Sequence, residues 1–248
     1  MNSKTGAPYF ADDLEAMDSA SRYYSWMLDA FAPHIGKRIL EVGAGSGNFS
    51  ERLLDWKPDL LTCLEPSANV AVKLEQRLAG AKNTETKRGL LADHAAGWQE
   101  RYDTIFYINV LEHVKHDRDE VVRALSCLKA GGHLLIFVPA LPRLYGRADE
   151  LFGHYRRYTQ SQLMDLFQAQ PVDIVRCHYW DVLGVLPWWI TFVLLRRGVM
   201  NRRMVKLYDT AVVPVARFLE SYFTPPLGKN LILIARKGAR APRQGETS

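Results

Sequence analysis

The chain of 248 residues is 48% hydrophobic and 24% charged, which is typical of one globular domain and excludes a disordered chain. The net charge of +5 is concentrated in two segments, since residues 196–206 carry +5 and residues 236–248 carry +3. The rest of the chain therefore carries −3, which argues against a broad nucleic-acid-binding face. Three separated cysteines favour neither a disulfide framework nor a zinc site, and with no signal-peptide pattern at 1–13 we expect a cytoplasmic protein.

Short apolar strands alternate with amphipathic helices along the chain, a pattern that predicts an α/β fold. After a flexible N-terminus at 1–18, we predict helices at 19–31, 48–56, 68–78 and 119–128. The predicted strands between them are Arg38–Val42, Leu60–Glu65, Thr84–Arg88, 104–109 and 133–139. A long loop follows at 140–158, and Thr159 with Gln162 then forms a capping box at the start of another helix.

The last part of the predicted domain contains two strands, near 172–177 and at 231–236. The stretch between them is far longer than a hairpin loop, which predicts a helical insertion at about 180–224. The domain therefore runs over 19–237, and the polar tail at 238–248 is predicted to be disordered.

A glycine-rich turn, Gly43-Ala44-Gly45-Ser46-Gly47, joins the first strand to the helix that begins at Asn48. Glycines allow the backbone to approach a ligand closely, and the helix N-terminus offers free N–H groups. Glu65 ends the second strand, where a carboxylate can accept hydrogen bonds from ribose hydroxyls. A nicotinamide dinucleotide loop would read G-x-G-x-x-G, whereas this loop lacks a glycine at the third glycine position of that pattern. Glu41 could instead bind the amino group of S-adenosyl-L-methionine (SAM), which a nicotinamide dinucleotide lacks.

Four segments together resemble the class I SAM-dependent methyltransferases. Residues 39–47 resemble their motif I, and 65–67 (Glu-Pro-Ser) their second motif. Residues 109–114 (Asn-Val-Leu-Glu-His-Val) are similar to the segment after their fourth strand, and 128–134 (Leu-Lys-Ala-Gly-Gly-His-Leu) to the turn before their fifth. The resemblance implies a Rossmann-like, seven-stranded, mostly parallel sheet with the last strand antiparallel and SAM over the C-terminal strand ends. It implies SAM contacts from Tyr24, Glu41, Gly43, Ala44, Gly45, Gly47, Asn48, Glu65, Pro66, Leu90, Leu91, Asn109, Val110 and Leu111.

Two positions differ from or extend the family pattern. The family often has an aspartate after the third strand, where this chain has Leu90, so adenine is expected to meet apolar side chains and its amino group a backbone carbonyl or Asp93. Tyr23 and Tyr24 lie on the first helix, which covers the cofactor in this family. One hydroxyl is expected to reach the SAM carboxylate, with core packing as the alternative.

The acceptor side is predicted from Glu112-His113 at the end of the fourth strand. His113 or His154 would take the acceptor proton as a general base, the alternative being that Glu112 caps or pairs and His113 packs. A similar Leu-Glu-His-Val string occurs in quinone-pathway O-methyltransferases, where such side chains hold a divalent cation. Asn109 replaces their upstream acid, so we predict no metal. The chain lacks the Asn/Asp-Pro-Pro-aromatic and Pro-Cys motifs of base methyltransferases, so no nucleic-acid acceptor is predicted.

The loop at 140–158 is rich in aromatic and basic residues, and loops past strand five overhang the acceptor in this fold. Arg156 or Arg157 would pair with a phosphate or carboxylate of the acceptor. The alternative is a loop held by aromatic contacts and internal ion pairs. The predicted substrate-binding residues are Glu112, Tyr145, Tyr155, Arg157 and Trp180.

The insertion combines Trp180, Trp188, Trp189 and Phe192 with the basic cluster that ends at Lys206. Its longest apolar run, 182–195, is short for a membrane span. A lid over an apolar pocket, a homodimer face and peripheral contact with anionic lipid through 180–206 all fit, the first two being the commoner uses. The predicted function is methyl transfer to an oxygen or nitrogen of a small or lipid-like acceptor. The alternatives are a SAM-binding scaffold or activator subunit and an NAD-dependent oxidoreductase.

Overall fold

The computed structural model describes residues 19–198 and 202–238. The predicted flexible N-terminus at 1–18 and nearly all of the predicted disordered tail lie outside the described residues. The described residues form one seven-stranded sheet in the order β3-β2-β1-β4-β5-β7-β6. The strands are β1 (Arg38–Val42), β2 (Leu60–Glu65), β3 (Thr84–Arg88), β4 (Tyr102–Ile108), β5 (Leu128–Pro139), β6 (Val172–Trp180) and β7 (Asn230–Lys237).

Strand β7 is the antiparallel member of the sheet, because it pairs antiparallel with both β5 and β6 while the other pairs are parallel. The order reverses beside β1, so the carboxyl ends of β1 and β4 meet at the switch point where doubly wound folds bind ligands. The predicted Rossmann-like α/β fold with an antiparallel last strand is confirmed.

The helices lie on both faces of the sheet and in the insertion before β7. Before the insertion they are α1 (Ser21–Phe31), α2 (Asn48–Leu53), α3 (Ala68–Arg77), α4 (Leu91–His94), α5 (Asp117–Cys127), α6 (Arg147–Phe152) and α7 (Gln160–Asp165). The insertion begins with α8 (Val185–Trp188), which continues as a π-helix over Trp189–Leu194. It goes on with α9 (Arg202–Leu207), a π-helix over Tyr208–Val212, and α10 (Val213–Glu220).

Alternate residues of the central strands belong to two separate apolar clusters. Leu40 and Ile136 lie in one cluster, and Ile39 and Leu135 lie in the other, each of them inaccessible to solvent. Strands buried on both faces are typical of parallel sheets covered by helices. The apolar runs in the sequence therefore fix the strands between two helical layers, and they leave the strand ends free for polar side chains.

The segment predicted as one long loop at 140–158 contains helix α6. Its first turn is capped by Asp149, whose Oδ2 accepts from the Gly146 backbone N–H at 2.9 Å, and its last turn ends at Gly153 with φ of 74°. The loop prediction was wrong because only six residues form the helix, too few for a clear apolar period. Strand β5 also begins earlier than predicted, at Leu128, since the Lys-Ala-Gly-Gly turn forms an irregularity within the strand.

Candidate active site

The glycine-rich turn after β1 has a backbone that other residues adopt only at a cost. Gly43, Gly45 and Gly47 have φ of 70°, 58° and 83°. A Cβ on Gly43 would lie 2.6 Å from the Cγ2 of Val110, two residues past the end of β4. The turn therefore combines left-handed backbone with close approach to the segment after β4, and it leads directly into the N-terminus of α2, where a helix offers free main-chain N–H groups.

Glu65, at the carboxyl end of β2, faces this turn. Its Oε2 accepts from the Gly45 backbone N–H at 2.9 Å and its Oε1 accepts from the Ser67 N–H at 2.8 Å. Burial raises the pKa of Glu65, while these two hydrogen bonds lower it. Each carboxylate oxygen keeps a second lone pair, so the side chain fits the ribose diol of a nucleoside, and Pro66 follows it at the exposed strand end.

Glu41 lies beneath the turn and is buried. Its Oε2 accepts a hydrogen bond from the Ser50 hydroxyl, which holds the carboxyl against α2. Burial raises the pKa of Glu41 to about 8, although the bond from Ser50 opposes the shift and the nearby Glu65 adds to it. Sequence reasoning identified Glu41 but missed Ser50, whose position two residues past Asn48 places it on the inner side of the helix.

The two tyrosines of α1 lie in different surroundings. Tyr24 lies beside α2, with its ring 6.4 Å from that of Phe49 and 4.9 Å from the Arg52 guanidinium carbon. Tyr23 is buried, and its hydroxyl accepts from the Asn230 amide at 2.6 Å. Tyr24 is therefore the tyrosine that lies next to α2, the helix that follows the glycine-rich turn, whereas Tyr23 has the core position.

Two predicted cofactor contacts, Leu90 and Leu91, follow β3, and one of them lies in the core. Leu90 is exposed, and its N–H donates to Asp93 Oδ2 at 2.8 Å as α4 begins. The Leu91 side chain is fully packed in the sheet core because α4 turns it inward. A cofactor would therefore meet Leu91 only through its main chain, and Asp93 already holds the start of the helix.

Of the three further predicted residues after β4, the contacts place one, Val110, against the turn. Asn109 has a left-handed φ of 52°, and its N–H donates to the Phe137 carbonyl at 2.8 Å. Ala44 and Leu111 are buried, and Val110 packs against the turn through the close contact with Gly43. A left-handed Asn costs less than other residues at such a position, because its short polar side chain tolerates this conformation.

Glu112, His113 and His154 meet just beyond the β4 end. Glu112 is fully buried, and neither carboxyl oxygen has a hydrogen-bond partner in another of the described residues. The rings of His113 and His154 lie edge to face with centroids 4.6 Å apart. Burial raises the pKa of Glu112 to about 7, and burial together with His154 lowers the pKa of His113 to about 3. This cluster is thus a buried acid beside a neutral imidazole.

Asp149 orients the third member of the cluster, a role that sequence reasoning missed. Its Oδ1 lies 2.8 Å from His154 Nδ1 and 2.8 Å from Arg157 Nε. Burial alone would raise the pKa of Asp149, but the hydrogen bond with His154 and the Arg157 charge outweigh it and lower the pKa. The spacing of Gly146, Asp149 and Gly153 was the available signal, since it marks a short capped helix.

Two other predicted residues contact the cluster through the backbone. The Tyr145 hydroxyl donates to the His154 carbonyl at 2.7 Å, and the Tyr155 N–H donates to the Glu112 carbonyl at 2.8 Å. Trp180 is not brought to the cluster, because its ring packs in the core against Tyr23, 4.8 Å away between centroids. Its predicted contact with the acceptor therefore finds no support in its placement.

Both arginines of the segment pair internally. Arg156 binds Asp117, which also accepts from the Tyr158 hydroxyl at 2.8 Å. Arg157 is buried, binds Asp149, and also donates to the Ala140 carbonyl at 3.2 Å. These contacts favour the alternative given above, in which internal ion pairs hold the segment in place.

The cluster also has the donor set of a metal site. Glu112, His113 and His154 each offer one ligand atom, and these atoms lie within 4.8 Å of one another. Carboxylate and imidazole groups are ligands of several first-row divalent metals. The absence of a metal therefore stays a prediction from the sequence, and removal of divalent ions belongs in any activity test.

An apolar cavity of about 150 Å³ lies between the core and the insertion. Trp188 forms part of its wall and contacts the Arg157 guanidinium, 4.6 Å from ring centroid to carbon. Lys229 lies above the rings of Tyr23 and Tyr208. A wider groove of about 530 Å³ between α1 and α10 contains none of the residues of the cluster or the glycine-rich turn. The lining of the smaller cavity contains none of them either, but its wall residue Trp188 contacts Arg157, which binds Asp149 beside His154.

Comparison with known proteins gives one family. The sequence pattern of the methyltransferase domain matches residues 18–173. The tRNA U34 carboxymethyltransferase of Campylobacter curvus (strain 525.92) is 28% identical over 173 residues, which are 68% of this chain and 55% of that protein. The chain spans about half the length of the curated relatives it matches.

Solved structures agree on the fold. A SAM-dependent methyltransferase from Archaeoglobus fulgidus superimposes with a TM-score of 0.61 at 14% identity, covering 93% of this chain and 100% of that chain. A chain from the complex of the Haloferax volcanii Trm112 methyltransferase activator with a methyltransferase gives 0.65 at 12% identity, covering 94% and 96%. Because the family pattern spans more than half of the chain and the glycine-rich turn with Glu65 fits a nucleoside cofactor, the chain belongs to the class I SAM-dependent methyltransferases, with SAM as its cofactor.

Proposed function

We propose that the enzyme methylates an oxygen or nitrogen of a small or lipophilic acceptor bound beside the Glu112, His113 and His154 cluster. The observation that carries this proposal is the buried Glu112 carboxyl, which lacks a hydrogen-bond partner in any other described residue. A buried polar group without a partner is costly. A hydroxyl or amine of the acceptor would supply the missing donor and would be held at the end of β4.

SAM, when bound, supplies an electrophilic methyl group on its sulfonium sulfur. The residues proposed to hold it are the glycine-rich turn with Glu41 and Asn48, Glu65 with Pro66, Tyr24, the main chain at Leu90 and Leu91, and residues 109–111. The methyl group would pass to the acceptor oxygen or nitrogen, with S-adenosylhomocysteine as the second product. The acceptor proton needs a base within hydrogen-bond reach, which the cluster provides.

His154 is the better base of the two histidines. Asp149 Oδ1 lies 2.8 Å from His154 Nδ1 and orients the ring, as a buried aspartate does in other acid–base dyads. Burial and the nearby His154 hold the pKa of His113 at about 3, so this ring does not readily accept a proton. We therefore assign proton acceptance to His154, with His113 and Glu112 positioning the acceptor and Tyr145 and Tyr155 fixing the backbone around them.

Replacing single histidines tests these roles. His154→Asn is expected to lower turnover by about 10²- to 10⁴-fold, the usual contribution of a general base, while SAM affinity measured by calorimetry stays unchanged. His113→Asn is expected to raise the acceptor KM more than it lowers kcat. The matched control is His116→Asn, which changes an exposed histidine near the cluster. Equal activity of the His154→Asn and control variants would refute the assignment.

The acceptor class is tested by following S-adenosylhomocysteine release with phenols, amines, lipid extracts and tRNA, each with and without a chelator. Release with a phenol, amine or lipid fraction supports the proposal, and dependence on divalent ions would replace the metal-free prediction. No release with any acceptor would favour the scaffold or activator alternative. The SAM family assignment leaves the nicotinamide alternative without support.

Modification of tRNA is the second candidate, because the curated relatives carry that activity in their names. Against it stand the net charge of −3 outside the two basic segments and the apolar character of the cavity whose wall residue Trp188 contacts Arg157. Release of S-adenosylhomocysteine with tRNA alone would decide for this candidate.

A further inference from the structure

The first helix of the insertion is apolar on both its faces. From Val182 to Leu195 the chain has no charged residue. Trp188 and Phe192 point inward and contact each other, with ring centroids 4.4 Å apart. A helix that is apolar all round is normally covered on every side, in a protein core or by lipid.

The outer face of this helix is exposed. Leu186 and Leu194 are 62% and 59% exposed, and Trp189 and Ile190 between them are also exposed. Their spacing of three to four residues places them on one stripe opposite Trp188 and Phe192. The second helix of the insertion continues the pattern, since Met204 and Leu207 are exposed as well. None of the other described residues covers these side chains.

Positive charge surrounds this apolar surface. Arg196 and Arg197 directly follow the stripe, and Arg202 and Lys206 lie on α9. All four are exposed, and none has a carboxylate partner among the residues that the structure describes. An exposed apolar stripe bordered by unpaired cations is complementary to an anionic lipid surface, where each cation contributes about 1 kcal/mol of attraction.

A second copy of the chain fits this surface less well. In a two-fold symmetric dimer the same patch lies on both sides of the interface, so each set of cations would face an identical set. Like charges brought together across an interface cost several kcal/mol. A membrane span is excluded for the described helices, since none is long and apolar enough to cross a bilayer. The arrangement that fits these observations is docking of the insertion flat on a membrane surface.

The cavity adjoins this surface, and one residue of its wall approaches the cluster. Met204 and Arg197 line the cavity together with Trp188, so its walls come from the same two helices that carry the apolar stripe. Trp188 in turn contacts Arg157, which binds Asp149 beside His154. An amphiphile leaving the lipid surface would therefore find an apolar cavity with the cations Arg197 and Lys229 at its wall.

We propose that residues 185–197 and helix α9 (Arg202–Leu207) dock on anionic lipid bilayers and that the acceptor is an amphiphile taken up from the bilayer. The second half of this proposal rests on the proposed function, whereas docking itself does not. Docking is therefore tested without acceptor or turnover, so that its failure and the failure of the proposed function are distinguishable.

The test is sedimentation of the full chain with vesicles of phosphatidylcholine alone or mixed two to one with phosphatidylglycerol. The expected result is binding to the anionic vesicles that weakens with salt. The variant Arg196→Gln with Arg202→Gln should bind about 25-fold more weakly, since each charge contributes about fivefold. The variant Leu186→Ser with Leu194→Ser should lose binding at both low and high salt.

The matched control is Val72→Ser with Val122→Ser, which removes two exposed valines from α3 and α5 outside the insertion. This control should bind like the unchanged protein, and all variants should retain SAM affinity, which shows that they fold. Absence of binding to either vesicle by the unchanged protein would overturn the proposal. So would a concentration-dependent dimer that the Leu186→Ser with Leu194→Ser variant abolishes, because the stripe would then be covered by a second copy.

Discussion

Replacing Glu112 by glutamine is expected to change how the stability of the protein depends on pH. Burial raises the pKa of the folded-state carboxyl from 4.5 to about 7. Because the folded pKa lies above the unfolded one, the protonated form stabilises the fold. This stabilisation is complete below pH 4.5 and is lost as the pH rises through about 7. A difference of 2.5 units at 1.36 kcal/mol each gives a loss of about 3 kcal/mol across this window.

Glutamine keeps the shape of the protonated acid and cannot ionise. The free energy of unfolding is measured with urea at about pH 5 and about pH 8. The gain in stability of the Glu112→Gln variant over the unchanged protein should be larger at the higher pH by up to about 3 kcal/mol. The matched control is Glu75→Gln, which removes an exposed carboxylate that pairs with Arg88. An identical pH dependence in the unchanged protein and the Glu112→Gln variant would refute the assignment of a buried, strongly shifted acid.

Three further outcomes are expected. Gly43→Ala should weaken SAM binding in calorimetry by roughly 5- to 30-fold, because a left-handed alanine costs about 1–2 kcal/mol. Adding Val110→Ala should restore only the part of the affinity that is lost through the 2.6 Å contact between the new Cβ and Val110. Glu65→Gln should weaken SAM binding by about 10- to 100-fold, the value of a charged hydrogen bond, and an unchanged Kd would remove this residue from the cofactor site. Asp149→Asn should lower the free energy of unfolding by about 3–5 kcal/mol in urea titrations, because it leaves the buried Arg157 cation without its partner; a loss below 1 kcal/mol would contradict this reading.

The sheet and the cofactor side were predictable because their signals are local in the sequence. Each strand is a short apolar run, and a strand buried on both faces needs such a run whatever surrounds it. Glycines with left-handed backbone are similarly local, since the turn from β1 to α2 demands them at Gly43, Gly45 and Gly47. Glu65 was predictable because a strand end and the following helix fix where its carboxyl lies.

The acceptor side was less predictable because its contacts join distant parts of the chain. Asp149 lies in a short helix that the apolar pattern does not reveal, and His154 follows just past the end of that helix. Their partner Glu112 comes from the turn after β4. Trp180 shows the converse error. The sequence predicts a ligand contact for this aromatic residue beside a lid, yet at the end of the edge strand β6 its large apolar surface packs against Tyr23 in the core.

The insertion contributes both to the core and to the surface, because one face of its first helix packs inward and the opposite face is exposed. Its inner face is held by backbone packing: a Cβ on Gly146 would lie 2.6 Å from the Phe192 carbonyl oxygen. The Trp188 indole N–H donates to the Leu144 carbonyl at 3.2 Å, and its ring contacts Arg157. The outer residues Leu186 and Leu194 make no comparable contacts and cannot explain why the helix is apolar there. Removing them should leave the free energy of unfolding nearly unchanged while abolishing binding to anionic vesicles, since side chains exposed in the free protein contribute to stability only once lipid covers them.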